Sequence, residues 1–168
     1  MARAAHRADG DAEHARCEDR RAETRTLIAS KGIPYWIQRA DYSATDYDAA
    51  EVAEGLRAFE THDWRTELEL YGELERDGSD CCPPGIGFVD PDGDILHVCL
   101  EVDGRATVHY DFTAPGKLFG LIPWSRWRVE TWKGVPRSDV LDLIRFFFDG
   151  QRDWMLQKLG TSTAGDRR

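Results

Sequence analysis

The chain has 168 residues, 41% of them hydrophobic, and a formal net charge of −9. That is enough apolar material for one domain with a single core, and an acidic field repels nucleic acid. No apolar run approaches bilayer length, and the first twenty-five residues hold no apolar h-region, so neither a membrane span nor a secretory signal is expected. The four cysteines are too few and too irregularly spaced for a disulfide scaffold, which agrees with a cytoplasmic location.

Residues 1–26 carry six basic and six acidic side chains and almost nothing to bury, so they are expected to form a disordered or frayed tail. The domain is expected to span 27–160, with 161–168 loose. Gly32 and Pro34 punctuate its start, and Tyr35-Trp36-Ile37 offers a first anchor to the core. Thr45 followed by Asp48 resembles a capping box, and Ala49, Val52, Ala53, Leu56 and Phe59 follow helical spacing, which predicts a helix over 46–60. From Trp64 the apolar period shortens to two, predicting a half-buried strand to about Leu74. Arg76–Gly85, with Cys81-Cys82 before two prolines, reads as a loop.

The stretch Ile86–Phe112 carries the most information. Asp90-Pro91-Asp92-Gly93 has Pro and Gly where a turn needs them, and a three-residue loop there pairs Val89 with Ile95, Phe88 with Leu96 and Gly87 with His97. A second loop, Val102-Asp103-Gly104, pairs Leu100 with Ala106, Val98 with Val108, His97 with His109 and Leu96 with Tyr110. One face of the resulting meander carries Ile86, Phe88, Leu96, Val98, Leu100, Val108 and Tyr110. The other carries His97, Cys99, Glu101, Arg105, Thr107, His109 and Asp111. A two-residue turn at Asp103-Gly104 scrambles both faces and is rejected.

Thr113–Pro123 reads as a connection, and Trp124–Trp132 as a strand with Trp127 and Val129 on one face and Arg126, Arg128 and Glu130 on the other. Ser138 can cap a final helix whose stripe is Val140, Leu143, Ile144 and Phe147. Asp149-Gly150 kinks or splits it before Trp154, Met155 and Leu159. This order predicts an α+β fold: an antiparallel sheet with a central three-stranded meander and helices packed on one face.

Four residues on the polar face could carry chemistry. His97 and His109 are directly opposed, with Cβ atoms roughly 4.5–5.5 Å apart, so two imidazoles could share a zinc ion with Cys99 or Asp111 as a further ligand. The spacing matches no standard zinc signature, and a cross-strand histidine pair also serves simply to pack. Cys99 as a nucleophile is disfavoured by its place on a regular strand. Asp90–Asp94 superficially resembles a calcium loop but lacks the sixth-position Gly and the later Glu, so it reads as a hairpin turn. Phosphate-loop, dinucleotide-binding, zinc-protease and nucleophile-elbow motifs are absent.

Charge is segregated. Residues 41–80 hold thirteen Asp or Glu against three Arg, so this segment carries the whole acidic excess. Glu51, Glu54, Glu67 and Glu69 are expected to face solvent there. Trp124 and Trp132, near Arg126 and Arg128, have the composition of an interface hot spot, although core or edge-covering roles also fit.

Element order over roughly Ala44–Leu159, with the closing pattern Val135-Pro136…Phe146-Phe147-Phe148-Asp149-Gly150…Trp154, resembles the immunity proteins of bacterial polymorphic-toxin systems. Those are small cytoplasmic α+β proteins, often acidic, that bind and block a cognate toxin. The resemblance implies binding without catalysis or cofactor, to a protein with a basic surface. The alternative is a metal-binding protein or metal-dependent enzyme using His97, His109, Cys99 and Asp111.

Overall fold

Two turns set the centre of the sheet. In a computed structural model of the chain, which describes residues 32–49, 51–118 and 122–162, Asp90 Oδ1 accepts hydrogen bonds from the amides of Asp92 and Asp94, both at 2.9 Å. Gly93 closes that turn at φ +85°, and Gly104 closes the next at φ +81°, conformations that a Cβ disfavours. Strands β3 (Gly85–Val89), β4 (Ile95–Leu100) and β5 (Arg105–Leu118) therefore pair in the predicted register, including Gly87 with His97 and His97 with His109.

The sheet extends beyond the meander on both sides. β1 (Ile33–Gln38) pairs with β3, β2 (Ala44–Ala49) pairs with β1, and β6 (Ile122–Pro136) pairs with β5. The result is a six-stranded antiparallel sheet in the order β2-β1-β3-β4-β5-β6. Helices α1 (Val52–Thr61), α2 (Trp64–Asp77), α3 (Arg137–Phe148) and α4 (Arg152–Ser162) complete an α+β fold.

Three sequence expectations are corrected. The helix expected over 46–60 is a strand followed by a shorter helix. Thr45 and Asp48 lie in β2, and Tyr47 stacks on Tyr35 of β1 with ring centroids 5.0 Å apart. Cross-strand aromatic packing outweighs the capping pattern there. The strand expected over 64–74 is α2. Asp63 caps it by accepting from the Thr66 amide and hydroxyl, and Gly78 ends it at φ +69°. Its Glu, Leu and Arg content favours a helix, and Trp64 is buried whereas Leu70 is exposed, so the two-residue alternation misleads. The connection expected over 113–123 is largely strand: β5 and β6 continue together as far as Leu118 opposite Ile122. Pairing of β5 with β4 stops at Asp111, so Pro115 and Pro123 sit where no third strand requires their missing N–H.

The final helix splits at Asp149-Gly150, with Gly150 at φ +65°, and begins at Arg137 behind Pro136 rather than at Ser138. Val140, Leu143, Ile144 and Phe147 are its buried stripe, as the spacing predicts. They pack on one sheet face: the Phe88 ring lies 5.5 Å from Phe148 and 6.4 Å from Phe147, and Tyr110 meets Phe147 edge-on. α1 approaches closely at Gly55, where a Cβ would lie 2.8 Å from the Phe148 ring. Each fully buried Phe or Leu in this layer contributes roughly 1.5–3 kcal/mol. Residues 1–26, and the end of the chain from 163, lie outside the described residues.

Candidate functional site

The histidine face is a row of side chains crossing the whole sheet. Register places Asp46, Trp36, Gly87, His97, His109 and Thr131 side by side on six successive strands. Gly87 does not leave His97 uncovered. The Trp36 indole lies across the glycine, so closely that a Cβ there would sit 2.0 Å from Cζ2, and its ring meets His97 at 5.6 Å. His97 in turn stacks on His109 at 6.0 Å, and His109 Nδ1 lies 3.0 Å from the Thr131 hydroxyl. The absent side chain of Gly87 is what lets an indole and two imidazoles form one stack.

This geometry suits packing and surface contact. Cys99 is buried, and its sulfur lies 3.7 and 3.9 Å from the two ring nitrogens of His97, so it does not approach along either nitrogen's lone pair. Among the described residues, no three His, Cys, Asp or Glu side chains are placed to hold a metal ion. His97, His109, Cys99 and Asp111 do not come together as such a group, and the His97 ring packs between Trp36 and His109. Nor does Cys99 sit at a helix N-terminus, where a thiol becomes reactive.

The acidic segment divides. Glu51 and Glu54 are exposed at the start of α1, as expected. Glu67 is not a solvent-facing group: it is largely buried, 3.7 Å from Arg39 and 3.9 Å from His62, because α2 is a helix that turns this position inward. Burial in turn holds the His62 pKa below its ordinary value, with the Glu67 charge opposing that shift. Glu69 is exposed but paired with Arg65 at 2.9 Å. Asp46 and Asp48 of β2, which sequence reasoning assigned to a helix, are exposed on the edge strand with Tyr47.

Trp132 is half-buried and packs against the helix-covered core, so it is not part of an exposed patch. Trp124 lies in β6, but its side chain falls outside those described. Trp127 and Val129 lie on the histidine face, with Val129 exposed. Trp154, which follows the Asp149-Gly150 break, is exposed at 59%.

Sequence reasoning missed one charged centre. Asp94 is only 1% exposed, the most deeply buried charged side chain among the described residues. Its carboxylate accepts from Arg152, from the Tyr110 hydroxyl at 3.1 Å and from the Thr113 amide at 3.1 Å. Arg152 also donates to the Tyr110 hydroxyl and the Thr113 carbonyl, and lies over the Phe112 ring. Burial pushes the Tyr110 hydroxyl above the ordinary phenol range. This pair floors a cleft of about 520 Å³ between the β3–β4 turn and the α3–α4 junction. The signal available in sequence was Asp94 itself, a carboxylate immediately before a buried strand, but its partner lies 58 residues away.

No family model, curated protein or solved structure matches the chain. The fold and sites define an α+β protein with an acidic sheet edge, a stacked histidine face and a carboxylate-lined cleft. No described helix is long and apolar enough to cross a membrane.

Proposed function

We propose that the chain is a small acidic binding protein that neutralises a protein partner with a basic surface, as immunity proteins do with their toxins in the cytoplasm. The observation that carries this reading is the acidic edge of the sheet, where Asp46 and Asp48 of β2 and Glu51 and Glu54 at the start of α1 are all exposed. Tyr42 and Tyr47, also exposed in the β1–β2 hairpin, add amphipathic aromatic surface of the kind that interfaces favour, with Tyr47 on the other side of β2 from Asp46 and Asp48. Opposite charges steer encounter, and rim charges act mainly on the association rate.

The test takes as its probe any basic protein encoded by a neighbouring gene. Its association with the full chain, followed by stopped flow, is expected to slow as salt rises. It should slow further when Asp46 and Asp48 become Asn and Glu51 and Glu54 become Gln. Exposed charges contribute little to folding, so the fourfold variant should keep the parent's melting temperature. Unchanged association by that variant at low salt rejects the acidic edge as the contact surface.

A further inference from the structure

The cleft above the Asp94–Arg152 pair has a chemistry of its own. Its floor is electrically settled, because the Arg152 cation is committed to the Asp94 carboxylate and the Tyr110 hydroxyl. Its walls are not. Asp90 and Asp92 line it from the β3–β4 turn, and Asp153 lines it from the first turn of α4. None of these three carboxylates forms an ion pair among the described residues. Trp154, next to Asp153 on α4, also lines the cleft; it is exposed at 59%, and its ring packs on Phe146 with centroids 6.4 Å apart and 30° between the planes. An exposed indole braced by a second ring and three carboxylates outside any ion pair, all lining one cavity, supply the two requirements of a flat cation: a π face and carboxylate acceptors. The volume lies within the roughly 300–1,000 Å³ of small-ligand clefts.

We propose that this cleft receives an arginine side chain presented by a polypeptide, with the guanidinium against Trp154 and its N–H groups directed to Asp90, Asp92 and Asp153. Guanidinium fits better than a compact ammonium because it stacks on an aromatic face and donates in a planar fork. A peptide arginine fits better than the free amino acid, whose own carboxylate would meet three others. Asp90 adds a separate sign. Burial holds its carboxyl above the ordinary range against the lowering effect of its two backbone hydrogen bonds, and the Asp94 and Asp92 charges push the same way as burial, so an entering cation offsets that neighbouring negative charge. The cleft is independent of the β2–α1 edge, so the two proposals stand or fall separately.

Heteronuclear NMR of the full chain tests this directly, following the Trp154 indole N–H and the Gly93 amide during titration with N-acetyl-L-argininamide. Saturable shifts confined to the cleft are expected. Asp92→Asn and Trp154→Ala, both at exposed positions, should keep the fold and weaken binding roughly twofold to fivefold, the scale of one exposed ion pair or cation–π contact. Equal shifts with N-acetyl-L-citrullinamide, the uncharged isostere, would overturn the proposal, as would absence of saturation or indifference to both substitutions. Free L-arginine should bind more weakly than the capped form. Equal or tighter binding by free arginine would overturn the polypeptide assignment.

Discussion

The two faces of the sheet are made from the same strands and held by different physics. Toward the helices, Phe88, Leu96, Val98, Val108 and Tyr110 interlock with α3 and are removed from water almost completely. Toward the other side, alternate residues of those strands form a single stacked row, in which Trp36 lies on the space left by Gly87. The helix face is cohesive through its volume. The histidine face depends on one missing side chain and on ring contacts that remain partly wet.

Substitutions on the two sides should therefore differ in size as well as in kind. Phe88→Ala, at a position with no exposure, is expected to cost about 3–5 kcal/mol in urea unfolding. Arg152→Ala leaves the Asp94 carboxylate buried without its cation and should cost about 3 kcal/mol, near the lower end for broken buried pairs because Arg152 is itself one-third exposed. Gly87→Ala should cost about 1–3 kcal/mol, as overpacking does, and should displace the Trp36 indole resonance. Replacing His97 and His109 together with Ala should cost only about 1 kcal/mol, the scale of an aromatic pair. A loss comparable to that of Phe88→Ala would show that the histidine face is a second core.

The smallest expected effect is a gain. The Asp90 carboxyl is held above its ordinary range chiefly by burial, so the native state binds its proton more tightly than the unfolded chain does. Its contribution to stability therefore falls as pH rises from the ordinary carboxylate range through the native value. Asp90→Asn keeps an oxygen for the Asp92 and Asp94 amides and removes the charge. Its melting temperature should slightly exceed the parent's at pH 7, and the advantage should vanish below about pH 4.

Legibility in sequence followed the range of the interactions. The meander was readable because both turns carry their own Gly and Asp signals and a shift of one residue would expose every buried side chain. The α3 stripe was readable for the same local reason. β2 was misread because its strand character comes from Tyr35, twelve residues upstream of Tyr47, while its Thr and Asp imitate a helix cap. α2 was misread despite a local signal, since Asp63 before a Glu- and Leu-rich run is a helix start. The histidine pairing was legible, but the Trp36 cover was not, because β1 pairs with β3 across the intervening β2, α1 and α2 and no local signal marks that pairing. The Asp94–Arg152 pair joins a turn to the last helix, and neither end announces the other.

That last pair also bears on the order in which the molecule assembles. Asp94 and Arg152 are 58 residues apart, and they can meet only after β4, β5, β6 and α3 have been laid down between them. Contacts that close long loops are costly to form before the intervening structure exists. The guanidinium is then expected to fasten late, after the rate-limiting step, so that its removal acts on escape from the native state. In a chevron plot, Arg152→Ala should raise the unfolding rate by most of its stability cost while leaving the refolding rate nearly unchanged. The meander turns, by contrast, should register mainly in refolding.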